Sequence, residues 1–200
     1  MKWHYIYTSS SLRLIKLLVV GRLNVYVPSE DSFLLAEHAK NYFGNLALEI
    51  GSGSGIILDV LSQNFNSVIG TDIDYRSLHY YKNNIPNNVM LVCCDAASTL
   101  SIKFDFIVSN PPYLPDLNKT NKDRAIEGGP TGMEYTLHFV QSAISVLKRQ
   151  GKILTIISSL SHTSKLDKLI IEMNLMKRIV KVRKMFFETL FLVEISFRIS

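Results

Sequence analysis

Hydrophobic and polar positions in this chain fall into two alternating regimes. From residue 31 onward, short apolar runs are separated by stretches in which apolar residues recur every three or four positions. The runs are Leu46–Ile50, Ser67–Thr71, Val89–Cys93, Phe104–Ser109 and Lys152–Ser158. Runs this apolar predict strands buried on both faces, as in parallel sheets. The stretches between and around them predict helices over residues 31–43, 56–64, 75–83, 133–149 and 163–174. Ser29 stands at the N-cap of the first, with Glu30 and Asp31 favourable in its first turn. Pro86 stops the third helix and Gly151 the fourth. The tail, Lys177–Phe186 and Phe191–Ile199, predicts two strands joined by a short turn around Glu188, hence antiparallel. The whole predicts an α/β fold: a mostly parallel seven-stranded sheet with helices on both faces and a C-terminal antiparallel hairpin. Residues 25–200 read as a single domain, preceded by an N-terminal extension, residues 1–24, with no readable role.

Composition narrows the class. The 200 residues are 47% hydrophobic and 20% charged, enough for a sizeable core and unlike a disordered chain. A net charge of +5 and a pI near 9.1 permit an acidic or nucleic-acid partner without demanding one. The cysteines, Cys93 and Cys94, are adjacent, which excludes a disulfide framework and points to a reducing, cytoplasmic setting. No zinc-ligand spacing is visible, and His38, His79, His138 and His162 are scattered. The apolar run 12–20 carries Arg13 and Lys16 and is far shorter than the ~20 residues of a membrane helix. It lacks a small-residue cleavage site, so no signal peptide is expected.

The candidate chemistry gathers at strand ends. Asn110-Pro111-Pro112-Tyr113 follows the fourth strand, and two prolines cannot extend a ladder. The chain must turn there, leaving the Asn110 side chain and backbone carbonyls in the crevice where open α/β sheets bind ligands. Two acceptors so placed can grip a planar –NH2 group, which suggests modification of an amide or amino nitrogen. After the first strand comes Glu49-Ile50-Gly51-Ser52-Gly53-Ser54-Gly55, with glycines that allow a tight turn and close approach of a ligand. Ile56 stands where a dinucleotide fingerprint places its third glycine, and the Glu49 carboxylate would repel a pyrophosphate. Both features favour S-adenosylmethionine, which carries a sulfonium and an ammonium, over a phosphate-bearing cofactor. Asp72, at the end of the second strand, stands where an acid accepts ribose hydroxyls. Asp95, after the third strand, is placed to take the adenine amino group, and Asp74 is a weaker substitute for Asp72. Taken singly, Asp95 reads equally as a helix cap or a solvated acid, and Asp74 reads mainly as one of these.

Together these residues resemble the class I S-adenosylmethionine-dependent methyltransferases, and within them the HemK-type protein-glutamine methyltransferases. Residues 25–35, Val-Tyr-Val-Pro-Ser-Glu-Asp-Ser-Phe-Leu-Leu, and residues 125–132, Ala-Ile-Glu-Gly-Gly-Pro-Thr-Gly, resemble the short release-factor branch of archaea and eukaryotes. Ser32 stands where that branch more often has Thr. The resemblance implies a Rossmann-like fold and transfer of a methyl group to the side-chain nitrogen (N5) of the glutamine in a release factor's Gly-Gly-Gln loop. It implies catalytic roles for Asn110, Pro111, Pro112 and Tyr113. The cofactor residues it implies are Asp31, Ser32, Glu49, Gly51, Gly53, Gly55, Asp72, Ile73, Asp95, Ala96 and Asn110. It also implies a heterodimer with a small zinc-binding activator subunit.

Two other functions remain compatible with the residues. A nucleic-acid methyltransferase acting on adenine N6 or guanine N2 would use the same grip on a flipped base, but no target-recognition domain or concentrated basic charge is evident. A non-catalytic scaffold would have little use for Glu49, Asp72 and Asn110. The third strand, Val89–Cys93, belongs at a sheet edge in this fold and carries no charged gatekeeper, so a partner strand is expected there. The loop from Leu114 to Gly132 is long, as lids and binding loops are, and its glycines permit hinge motion. Glu127 could contact a peptide there. The basic run Lys177, Arg178, Lys181, Arg183, Lys184 reads as a solvated strand face.

Overall fold

The computed structural model describes residues 28–81, 85–115 and 128–198. The N-terminal extension, residues 25–27 of the upstream motif, the end of the third predicted helix and residues 125–127 lie outside them. The chain runs α1 (Glu30–Ala39), β1 (Gly44–Ile50), α2 (Ile56–Leu61), β2 (Phe65–Asp72), α3 (Tyr75–Tyr81), β3 (Val89–Cys93) and β4 (Phe104–Ser109). It continues through α4 (Glu134–Ser145), β5 (Leu147–Ser158), α5 (Ser164–Glu172), β6 (Leu175–Lys184) and β7 (Thr189–Phe197). The strands form one seven-stranded sheet in the order β3-β2-β1-β4-β5-β7-β6. β1 to β5 pair in parallel, and β7 lies antiparallel between β5 and β6. Strand order reverses between β1 and β4, and that switch point opens the ligand crevice of such sheets.

Two apolar layers cover the sheet. On one face Leu48, Ile50 and Ile107 pack with Met133, Val140 and Ile144 around α4 and with Leu166 and Ile170 of α5. On the other, Ala47, Phe106 and Val108 pack with Leu34 and Leu35 of α1, Ile57 and Leu58 of α2, and Tyr81. Neighbouring residues of β1 and β4 feed opposite layers, so the buried halves of both strands are apolar except for Glu49 and Ser109, which lie at or near the strand ends.

Several expected ends shift: α1 stops at Ala39 rather than near residue 43, α2 at Leu61 rather than residue 64, and the last two strands each begin two residues early. The fourth helix ends at Ser145, not near Arg149, and Gly151 lies inside β5 rather than after a helix. Leu147 is buried and pairs with Phe104, so the chain enters the sheet early, with an irregularity opposite Phe104 and Phe106. A Cβ at Gly151 would lie 2.8 Å from Leu147 and 2.9 Å from the Phe104 carbonyl, which is why glycine sits in that distorted stretch. Ser29 does occupy the N-cap of α1, but its hydroxyl makes no cap bond. Asp31 instead accepts the Ser32 N–H at 2.7 Å.

Candidate active site

The crevice is assembled by register. Ile50 of β1 lies opposite Thr71 of β2 and Ser109 of β4. The chain therefore leaves the sheet at neighbouring points as Gly51, Asp72 and Asn110. The Ser109 hydroxyl donates to the Ile50 carbonyl at 3.0 Å and ties the two exits together.

The glycine turn spends its own donors. Gly51 N–H and Ser52 N–H both reach the Thr71 carbonyl, at 2.8 and 2.9 Å, and Gly55 N–H reaches the Ser52 carbonyl at 2.8 Å. Gly53 N–H donates to Asp72 Oδ2 at 2.9 Å. A phosphate-binding loop keeps such groups for its anion; here they are used within the protein, and two carboxylates line the same turn. Gly51 and Gly53 have positive φ, 74° and 48°, which glycine adopts without steric cost. Gly55, at φ 79°, has a different reason to be glycine. A Cβ there would sit 2.2 Å from the Tyr81 ring, whose hydroxyl donates to Asp59 at 2.5 Å. Its place is taken up by packing within the protein.

Glu49 is 2% exposed, and its Oε2 has no hydrogen-bond partner among the described residues. Burial pushes its carboxyl well above the ordinary range, and the nearby carboxylates of Asp72 and Asp59 push the same way. Asp72 is also raised, mainly by burial, against N–H bonds from Asp74 and Gly53. Two neighbouring acids held uncomfortably in this way form a natural seat for a cation.

Beyond Asp72 lies a narrow pocket of about 110 Å³, bounded by Ile50, Gly51, Asp72, Ile73, Asp95 and Ala96. Its remaining wall is Tyr135, His138 and Phe139 from α4. Asp95 Oδ1 is 2.8 Å from His138 Nε2 at the mouth. Ala96, which borders the cavity, has φ 49°, in the left-handed region.

At the other end of the crevice, Asn110 is held by α1. Its Nδ2 donates to Asp31 Oδ2 at 3.1 Å and to Ser32 Oγ at 3.2 Å. The amide NH2 group donates and the carboxylate oxygen accepts, so this contact fixes which end of the amide faces α1. Asn110 Oδ1 is buried and has no partner among the described residues. The Tyr113 hydroxyl reaches the same Asp31 oxygen at 3.3 Å. The turn is clamped further by Gly128 N–H on the Leu114 carbonyl at 2.7 Å and by the Ser161 hydroxyl on the Tyr113 carbonyl at 2.8 Å. Cβ atoms at Gly128 and Gly132 would lie 2.6 Å from the Pro112 carbonyl and 2.4 Å from the Tyr113 carbonyl. These glycines let one loop lie directly against the Asn-Pro-Pro-Tyr backbone.

Comparison with known proteins fits this geometry. The family described as methyltransferase small domain matches residues 29–184. The chain belongs to that family. A Methanocaldococcus jannaschii protein provisionally named protein N5-glutamine methyltransferase is 32% identical over 145 residues, covering 68% of this chain and 74% of that protein. A release factor glutamine methyltransferase of Mycoplasma mycoides is 31% identical over 116 residues, covering 52% of this chain and 41% of the relative. The chain thus spans less than half of that bacterial relative. Among solved structures, a chain of the E. cuniculi Mtq2–Trm112 complex, responsible for methylation of the eRF1 translation termination factor, superimposes with a TM-score of 0.71. It is 26% identical and covers 88% of this chain and 100% of the other.

As a methyltransferase small domain protein, the chain has its sequence-predicted residues in two groups. Glu49, Gly51, Gly53, Asp72, Ile73, Asp95 and Ala96 lie along the turn and the pocket. Asp31, Ser32, Asn110 and Tyr113 form one hydrogen-bonded cluster. Gly55 faces Tyr81, and Asp74 is engaged with Arg76. Tyr135, His138, Phe139 and Ser161 were not among the expected site residues. The first three fall at i, i+3 and i+4 of one helix face, a spacing that marks a shared surface, yet that surface reads equally as core.

Proposed function

We propose that this chain is an S-adenosylmethionine-dependent methyltransferase that modifies the side-chain amide nitrogen of a glutamine in a release factor's Gly-Gly-Gln loop. The observation that carries the reading is the orientation of Asn110. Its NH2 end is occupied by Asp31 and Ser32, and its buried carbonyl oxygen has no partner among the described residues. A buried acceptor left unmet costs about 1–3 kcal/mol, so a donor belongs there. A primary amide supplies one N–H to Asn110 Oδ1, and its second N–H goes to the Pro111 carbonyl.

The rest of the crevice fits the methyl donor by its chemistry. Glu49 is placed to meet a cationic amino-acid moiety, Asp72 to accept ribose hydroxyls, and Ile73, Asp95, Ala96, Tyr135 and Phe139 to enclose a flat base. S-adenosylmethionine, when bound, supplies an electrophilic methyl group on a sulfonium. The protein's own task is placement. An amide nitrogen is a weak nucleophile because its lone pair is delocalised, and fixing near-attack geometry removes ~7–11 kcal/mol of barrier. Asn110 and Pro111 hold the nitrogen. The Tyr113 ring flanks the planar group and offers a sulfonium about 0.5–2 kcal/mol of cation–π attraction. The amide proton leaves after transfer, once the methylated nitrogen has become far more acidic.

The names of the M. jannaschii and M. mycoides relatives and the E. cuniculi complex support a protein glutamine over a nucleic-acid base. The same complex supports a small activator subunit for this chain. We place that subunit on the edge of β3 and expect it to be a zinc-binding protein. The test is transfer of labelled methyl to a recombinant release factor, with and without a co-expressed activator, beside a nucleic-acid control. Label should appear on the release factor and vanish when the loop glutamine is replaced. Label on nucleic acid alone overturns the reading.

A further inference from the structure

The tip of the β6–β7 hairpin carries two of the most exposed apolar side chains of the described residues. Phe186 is 92% exposed and Phe187 84%. β7 is antiparallel to both β5 and β6, so β6 runs parallel to β5 and ends at the same end of the sheet as Asn110. The tip is well anchored. Met185 N–H donates to the Glu188 carbonyl at 2.8 Å, and the Ser158 hydroxyl bonds the Glu188 carboxylate. Ser159 N–H reaches the Thr189 carbonyl at 2.8 Å. Arg183, just before the tip, lies 3.9 Å from Glu30 of α1. Glu30 adjoins Asp31, which orients Asn110. The hairpin and Asn110 thus share one rim, joined through the start of α1.

The chemistry of the tip is specific. Two exposed phenylalanines held on a fixed turn cost solvation unless something covers them. The strand that leads to them, β6, carries Lys181, Arg183 and Lys184, all exposed, and the exposed Ile179 and Val182 are interspersed with these cations. The rings meet edge to face, 4.6 Å apart at 85°, as a wedge rather than as parallel platforms for stacking bases. Aliphatic side chains between the cations also offer nothing to a phosphate backbone. We propose that this hairpin tip is a docking surface for the protein substrate. It would engage an apolar depression rimmed by acidic side chains, next to the segment that enters the crevice. The inference rests on the protein-glutamine reading and extends it: affinity comes from a surface outside the reacting loop.

The experiment compares the wild-type chain with Phe186→Ser/Phe187→Ser and Lys181→Glu/Lys184→Glu, each with any co-expressed activator. Substrates are intact release factor and a short peptide holding only the Gly-Gly-Gln loop. Both variants should raise KM for the intact protein about tenfold or more, with kcat and the constants for the peptide unchanged. The charge variant should also lose the salt dependence of that KM. A photocrosslinking phenylalanine analogue at position 187 should capture the release factor. An unchanged KM overturns the inference while leaving the glutamine reading intact. So does a crosslink confined to a second copy, to this chain's own residues 1–27 or to RNA. If the wild type methylates neither substrate, the glutamine reading fails, and the docking inference with it.

Discussion

Asn110 Nδ2 lies 3.1 Å from Oδ2 of Asp31, a residue 79 positions earlier in the chain. This contact decides which end of the amide faces α1, because the carboxylate takes the NH2 end and the buried carbonyl oxygen is left without a partner among the described residues. Asn110→Ala should therefore lower kcat by about 10²–10³, the range for loss of one preorganised polar contact. Affinity for S-adenosylmethionine should change little. Asp31→Ala should lower kcat less, because Ser32 Oγ still holds Nδ2 at 3.2 Å. Calorimetric titration of the cofactor beside steady-state kinetics separates the two effects. Equal loss of binding and turnover in Asn110→Ala would refute the division of labour.

Gly55 and Tyr81 make a second coupled pair. Gly55→Ala places a methyl 2.2 Å from the Tyr81 ring at a residue whose φ is 79°. Overpacking and left-handed strain together should cost about 2–4 kcal/mol, seen as a fall of ~5–10 °C in Tm. In Gly55→Ala/Tyr81→Ala the clash is gone, so the double variant should lose less than the sum of the singles. Strict additivity in thermal denaturation would show that the ring is not the obstacle. A glycine motif that spacing reads as a ligand cradle thus also carries a packing contact of the core, which spacing alone cannot reveal.

The same limit explains what was legible before the structure. β3 and β4 match their expected bounds because continuous apolar runs flanked by breakers leave little choice. The mostly parallel sheet with its closing antiparallel hairpin follows from the repeated strand–helix units and the short final turn. Local pattern fails where a distant partner decides. Leu147–Gly151 reads as the end of a helix until Phe104 pairs with it. Asp31 reads from local pattern as a first-turn acid and from the resemblance as a cofactor residue; its contact with Asn110 appears only in the fold. His138 looked isolated among scattered histidines, and only the packing of α4 over β3's exit sets it against Asp95.

Glu49 should give the protein a distinctive pH response. Its folded-state pKa is raised by burial, so the folded form holds a proton that the unfolded chain releases. The stability it contributes is fully present below the ordinary glutamate value of 4.5 and is lost as pH rises from there through its raised folded value. Without cofactor, Tm should therefore decline over that range, and Glu49→Gln should flatten the decline. S-adenosylmethionine, with its ammonium, should offset the loss in the wild type far more than in the variant. Parallel Tm–pH curves for the two proteins would rule out Glu49 as the titrating group.

The edge of β3 supplies the last prediction. Its burial alternates weakly, and Met90 is 54% exposed on a strand that pairs only with β2 among the described residues. An uncharged edge of this kind is a template for another strand, and β-addition supplies both main-chain hydrogen bonds and side-chain contacts. Produced alone, the chain should associate and give little soluble protein, whereas co-expression with the activator should give a 1:1 complex. Met90→Lys should raise soluble yield of the chain alone, because a charge on an edge disfavours self-pairing. The same change should weaken the complex about tenfold, the scale of losing one well-buried contact at an interface. Sedimentation of both proteins with and without activator tests this. A monodisperse, fully active chain without any partner would show that β3 needs no cover.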